Sequence, residues 1–196
     1  MIRRTERERL GWMAPGEELV VAGYIGETGA AAIANAREQE LLAWFTSDYI
    51  KTIQREDRSA AELSREDWEA LGATEYEMTG EGGIFTALWT LSGTYQKGIS
   101  IDLLSIPVRQ RTIELCERYG LNPYRLWSGC ALLVAENGGR LVRQLKKMGI
   151  DGTVIGCVCP GAAKEIWCRG EAGCLERPRP DEIYRVLPEF QIEGGE

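Results

Sequence analysis

Histidine is absent from all 196 residues. That excludes Ser-His-Asp and Cys-His catalysis, zinc sites with imidazole ligands and any histidine pH switch within this chain. Proton transfer here must use a carboxylate, Lys, Tyr, Cys or water. Positive charge is also short, with 23 Lys and Arg against 30 Asp and Glu and a net charge of −7. Such a balance opposes a nucleic-acid partner or an acidic membrane surface, both of which need concentrated cations. No apolar run approaches a bilayer span. The opening Met1-Ile2-Arg3-Arg4-Thr5-Glu6-Arg7-Glu8-Arg9 lacks the apolar centre of a secretory signal. A soluble, cytoplasmic protein is therefore expected, with its six cysteines mostly reduced. Long linkers and internal repeats are missing too. The length suits one domain, and the 44% hydrophobic content suffices for a core.

What is present is organised around Glu77-Met78-Thr79-Gly80-Glu81-Gly82-Gly83-Ile84, which runs into an apolar-periodic segment over 85–95. Ile84, Leu88 and Leu91 recur at helical spacing, with Phe85 and Trp89 beside them. The pattern predicts a strand, a glycine turn and a helix. Two readings of the turn stand. It is a tight connection that packs a helix against a sheet, or it is an anion site at a helix N-terminus. The plainer one is favoured, because the spacing is neither a Walker loop nor a dinucleotide fingerprint. An earlier unit repeats the scheme: a buried strand over 18–23, then Gly26-Glu27-Thr28-Gly29, then an Ala-rich helix over 30–43. The same two readings apply to it.

The remaining segments alternate. Residues 1–14 are charged, with Trp12 and Met13 expected to tuck onto the body and Pro15-Gly16 to turn. A short helix is expected within 44–58. Ser59-Ala60-Ala61-Glu62 has capping-box form and predicts a helix through Leu71, stopped by Gly72. Strands are expected over 74–78, 98–102, 130–135 and 153–158. Pro107 suits the first turn of a helix that ends at Gly120. Asn122-Pro123 marks a turn, and Gly138-Gly139 leads to a helix closed by Gly149. Residues 164–168 and 174–176 read as a hairpin about Gly170-Glu171-Ala172-Gly173, and the apolar segment 183–187 is expected to dock. The fold class is α/β (or α+β): a mixed β-sheet with helices packed on it.

The order of these segments resembles the C-terminal domain of the aminoimidazole ribonucleotide synthetase superfamily. That superfamily includes selenophosphate synthetases, thiamine-monophosphate kinases, formylglycinamidine ribonucleotide synthetases and the carbamoyl-dehydrating hydrogenase maturation proteins. The last are the nearest in motif. Gly16-Glu17-Glu18-Leu19-Val20-Val21-Ala22-Gly23-Tyr24-Ile25-Gly26 resembles their opening, and Gly82-Gly83-Ile84 with Ala87-Leu88 resembles their glycine turn and helix. Gly98-Ile99-Ser100-Ile101-Asp102 and Ile106-Pro107-Val108-Arg109 are similar to their next two motifs. Cys116, Leu121-Asn122-Pro123, Leu132-Leu133-Val134 and Ile155-Gly156 continue in register, and 181–187 resembles their last extended segment. The resemblance covers 16–187. It implies an N-terminal extension over 1–15, a domain over 16–187 and a frayed tail over 188–196.

Departures from the family bear on function. Its N-terminal domain, with ATP site, acidic magnesium ligands and dimer contacts, has no counterpart in this sequence, so no cofactor is expected. The Asp and Arg usual in the family's glycine turn are absent, and Glu81 stands where a phosphate-friendly cation is expected. The hydrogenase maturation proteins end in a catalytic cysteine, whereas Leu187 lies near that place here; that chemistry is not carried over.

Three functional readings follow. In the first, the chain is a stand-alone, non-catalytic ligand- or partner-binding or regulatory domain. Its small-molecule site would lie at Gly26, Thr28 and Gly29 with Glu77, Thr79, Gly80, Glu81, Gly82 and Gly83. In the second, it is the substrate-side half of an ATP-dependent synthetase or dehydratase, its partner a separate ATP-binding subunit of the superfamily. Self-association into a homo-oligomer is the other partner expectation. The third reading uses Cys157, Cys159, Cys168 and Cys174, whose spacing is not a standard zinc or iron–sulfur pattern. Four thiolates meeting around a soft metal, or a redox pair, stand against ordinary small apolar residues. Cys116 and Cys130 read as core. The chain is not expected to be a complete ATP-dependent enzyme by itself.

Overall fold

A computed structural model describes residues 11–57 and 59–191. An interior strand of its sheet is β1 (Glu18–Ala22), whose Leu19-Val20-Val21-Ala22 is wholly buried. Every side chain of this strand is apolar after Glu18 because both faces of the sheet are covered there. β1 pairs antiparallel with β4 (Ala131–Ala135) on one side and β5 (Gly152–Cys159) on the other. Outside β4 lies β2 (Glu75–Met78). Outside β5 come β3 (Gly98–Asp102), β6 (Lys164–Cys168) and β7 (Glu171–Cys174), giving a seven-stranded sheet in the order β2-β4-β1-β5-β3-β6-β7. Only the β3–β6 pair is parallel, so the sheet is mixed.

Helix α5 (Gly83–Tyr95) covers one face. Its Ile84, Leu88 and Leu91 meet Leu19, Val21, Ile99, Ile101, Leu132 and Val134. On the other face, α4 (Arg65–Leu71) and α7 (Gly138–Lys147) set Trp68, Leu141 and Leu145 against Val20, Ala22, Ala131 and Leu133. A third cluster lies beyond the sheet end. There α1 (Glu27–Ala36), α2 (Glu38–Leu41), α3 (Ser47–Gln54) and α6 (Gln110–Tyr119) close around Ile33, Leu41, Ile50, Ile53, Leu115, Leu126 and Ile183. Each such side chain contributes about 1.5–3 kcal/mol through its removal from water. Among the described residues, no helix is long and apolar enough to cross a membrane.

Several local expectations are corrected. The Ala-rich helix breaks at Arg37 (φ −118°), whose guanidinium donates to the Val186 carbonyl at 2.9 Å. The break lets α2 turn and bury Leu41. The helix expected from Ser59 starts at Arg65, because the capping box is Ser64 with Asp67. Ser59 is engaged elsewhere, donating to Asp57. Pro107 lies ahead of α6 rather than in its first turn, since its carbonyl accepts from Ile25 N–H at 3.0 Å. The hairpin turn is Arg169-Gly170, both at positive φ as in a mirror-image two-residue turn, so β7 starts earlier than expected. At the ends, Met13 joins the core while Trp12 is 68% exposed. Within 188–196, Phe190 packs on Trp127 with ring centroids 5.8 Å apart; residues 192–196, Gly194-Gly195-Glu196 included, lie outside the described residues.

Candidate functional site

The two glycine turns seat their helices on one segment, Tyr124 to Cys130. At the first turn, Gly26 (φ 70°) donates its N–H to Ser128 Oγ at 2.6 Å, and Gly29 donates to the Trp127 carbonyl at 2.9 Å. A Cβ on Gly29 would lie 2.6 Å from Leu126 Cγ, so the helix approaches that segment more closely than alanine allows. Thr28 is buried, with its Oγ1 close to Gly129. At the second turn, Gly82 and Gly83 both have positive φ (76° and 64°), a conformation that glycine adopts without strain. A Cβ on Gly83 would meet the Tyr124 carbonyl at 2.6 Å. Thr79 is buried and donates its hydroxyl to the Cys130 carbonyl at 2.6 Å. Glu77 and Gly80 are half-buried, and Glu81 is exposed. Most of the predicted residues thus build the packing of helix on sheet.

The N-terminus of α5 does hold an anion, supplied by the chain itself. Asp181, 2% exposed, brings its Oδ2 to within 2.7 Å of Gly82 N–H and its Oδ1 to within 2.8 Å of Ile183 N–H. The Trp127 N–H donates to the same carboxylate. Burial pushes the Asp181 carboxyl above its ordinary range, these three donors pull it down, and nearby Glu81 raises it further; the net shift is upward. Glu81 also accepts from the Tyr184 hydroxyl, which burial and this bond together raise. The segment that delivers Asp181 is the docked tail. Ile183 is fully buried, and Arg185 donates to the Gly120 carbonyl at 2.7 Å.

A charged cluster surrounds the first turn. Glu27, 4% exposed, opens α1, and its Oε1 lies 2.5 Å from Arg111 Nη2 and 2.9 Å from Arg109 Nε. Arg109 also stacks 3.8 Å over the Tyr24 ring and approaches Asp57 at 3.7 Å. Burial raises the Glu27 carboxyl, and the two arginines oppose the rise without reversing it. Sequence reasoning placed Arg109 in a motif but did not see this cluster. It also missed Arg125, which is 7% exposed, pairs with Glu176 at 2.5 Å and lies 5.5 Å over the Phe85 ring. Phe85 in turn stacks on Tyr124 at 5.2 Å. Arg125, Phe85 and Ile166 line an open cleft of about 350 Å³ beside the β6–β7 hairpin, with Cys168 and Cys174 at its edge.

The four cysteines of 157–174 do not converge. Cys168 lies opposite Glu171 and Cys174 opposite Glu165, which puts them on opposite faces of the hairpin. Among the described residues no three His, Cys, Asp or Glu side chains are grouped to hold a metal. Cys157 and Cys159 do share a face, with sulfurs 4.0 Å apart. Cys116 and Cys130 are core, each thiol pushed up to about 12 by burial.

This mixed seven-stranded sheet with helices packed on it matches the fold of PurM-like solved structures. Solved structures that share it include HypE of E. coli, a hydrogenase maturation protein (TM-score 0.66, 19% identity, 94% of this chain and 56% of that one). A HypE–HypF complex matches with TM-score 0.63 and 20% identity over 86% of this chain and 55% of that one. Thiamine monophosphate kinase from Aquifex aeolicus matches with TM-score 0.55 and 19% identity over 84% of this chain and 53% of that one. At these identities the likeness is one of fold, and the chain spans about half the length of the structures it matches. No protein-family model matches the sequence, and no curated protein matches it.

Proposed function

We propose that this domain corresponds to the C-terminal half of the PurM-like proteins and serves as a non-catalytic, ligand- or partner-binding or regulatory unit without an ATP site of its own. One observation carries the reading. The place best suited to a phosphate, the N-terminus of α5, is filled by the carboxylate of Asp181 and flanked by Glu81. A phosphate arriving there would have to displace one buried anion and approach another, which Coulomb repulsion opposes. A HypE–HypF complex shows one protein of this fold with a protein partner, and that supports the partner side of the reading.

Isothermal titration with Mg-ATP and with pyrophosphate tests it. The wild-type chain is expected to give no binding heat at millimolar ligand, and D181A to gain weak pyrophosphate binding. Tight binding by the wild-type chain, unchanged in D181A, overturns the reading.

A second reading has one observation of its own, the cleft that Arg125 and Phe85 line beside the same turn. In it the domain supplies the substrate side of an ATP-dependent synthetase or dehydratase whose ATP-binding part lies outside these 196 residues. It predicts ATP hydrolysis when this chain is mixed with an ATP-binding PurM-like subunit from the same cells. A reconstituted pair without ATPase activity counts against it.

A further inference from the structure

The outer half of the sheet carries a feature that the fold does not require. β5 contains an irregularity against β1: Val20 pairs with Val154 and Leu19 with Gly156, so Ile155 is the extra residue of a β-bulge. Ile155 and Val158 both enter the core under α5. An unbulged strand would alternate and could not put both there. The bulge therefore turns Cys157 and Cys159 to the opposite face. Gly156 makes this possible, since a Cβ at that position would lie 2.1 Å from the Ser100 carbonyl oxygen.

On that face the register sets out a row. Cys157 lies between Glu18 on β1 and Ser100 on β3, and Ser100 is followed by Glu165 on β6 and Cys174 on β7. Glu165, Trp167, Ala172 and Cys174 are exposed, while Cys157, Cys159 and Ser100 are half-buried. The two β5 sulfurs thus lie 4.0 Å apart on half-buried residues of one face, with Glu165 in the same row.

We propose that Cys157 and Cys159 form a two-thiol site for a soft, thiophilic metal ion of low coordination number, of which Cu(I) is the representative. An ion about 2.3 Å from each sulfur, an ordinary metal–thiolate distance, would span 4.0 Å at an S–M–S angle of about 120°. Rotation of the two side chains opens that angle toward the two-coordinate geometry that Cu(I) accepts. Zinc requires four ligands in a closed site, and among the described residues no third His, Cys, Asp or Glu joins the pair. Soft thiolates favour Cu(I) among biological ions. Glu165 in the same row supplies negative charge that favours a cation, while the Glu18 carboxylate is engaged with the Gly138 N–H at 2.6 Å.

A disulfide is the competing chemistry, and the geometry disfavours it. Residues two apart on a strand have Cα atoms about 6.6 Å apart, near the upper limit for a bridge, and the sulfurs would have to close to about 2.05 Å. Metal binding replaces two S–H protons by one ion, with no change in oxidation state and two protons released to solvent.

The test uses the full chain, reduced and kept anaerobic, titrated with Cu(I) against a chromophoric Cu(I) chelator. One equivalent is expected to bind wild type, with at least a 100-fold lower affinity in C157S and in C159S. The C168S/C174S variant is expected to bind like wild type, and Zn(II) at least 100-fold more weakly than Cu(I). X-ray absorption of the loaded protein is expected to show two sulfur neighbours. Wild type that takes no Cu(I), or C157S/C159S that binds it as tightly as wild type, overturns the proposal. Thermal melts of the serine variants guard the comparison, and a variant that melts early is replaced by the alanine pair at the same positions.

Discussion

Asp181 concentrates the physics of the site into one residue. Its carboxylate satisfies N–H groups of Gly82 and Ile183, and it does so in a nearly dry place that raises its proton affinity. A raised folded value means that the folded chain holds this proton more tightly than the unfolded one. The resulting stabilisation is complete below the unfolded value of about 3.9 and is lost as pH rises through the folded value. D181N cannot ionise, and its amide sets an NH2 against one of the two N–H donors, a cost that does not change with pH. Its melting temperature relative to wild type is expected to rise between pH 4 and pH 7, as followed by circular dichroism. D181A leaves donors unsatisfied and is expected to lose about 2 kcal/mol at neutral pH by urea unfolding. Thr79, Gly82 and Gly83 were legible as a turn from spacing alone. Asp181 was not, because its role arises from a tertiary contact with a turn nearly a hundred residues earlier. Its position directly after Pro178-Arg179-Pro180 and before Ile183 was the available cue, since an Asp there closes a local turn. Arg125 hid for another reason: in sequence, an arginine reads as surface, and only the fold shows it paired and buried.

At the scale of elements, the strands and helices were legible wherever burial is one-sided or complete. Leu132-Leu133-Val134 and the α5 periodicity are of that kind. Boundaries were lost where two local signals competed. Ser59 and Ser64 both look like helix caps, and the one whose third successor is Asp67 closes the capping box. S64A is expected to destabilise the chain by about 1 kcal/mol in urea unfolding, and S59A to leave α4 intact by amide exchange. The β5 bulge could not be read at all, because alternation along Val154 to Cys159 fits either face until the register with β1 is known. That Cys157 and Cys159 share a face follows from strand spacing, but which face they share depends on that unread bulge.

For the whole molecule, the fold class was legible and the tail's function as a structural member only partly so. The tail closes the third cluster with Ile183 and delivers Asp181 to α5. I183A is expected to cost about 3 kcal/mol. Because the tail touches α1, α6 and the 122–127 segment together, the loss is expected to appear as a lower midpoint of one transition rather than as a separate early step. Tryptophan fluorescence and far-ultraviolet circular dichroism recorded on the same urea series check this, since coincident curves are the mark of a single cooperative unit.

Among the described residues β1 is the first strand in sequence, yet it lies inside the sheet, third in the row of seven. Its two partners, β4 and β5, begin more than a hundred residues after it ends. During synthesis at roughly 5–20 residues per second, Leu19-Val20-Val21-Ala22 waits on the order of ten seconds for the first of them. The nascent chain thus spends that interval with a wholly apolar line of its future core uncovered and both strand edges unpaired. The time at which β4 leaves the ribosome, rather than the emergence of β1, sets when this sheet can start to form.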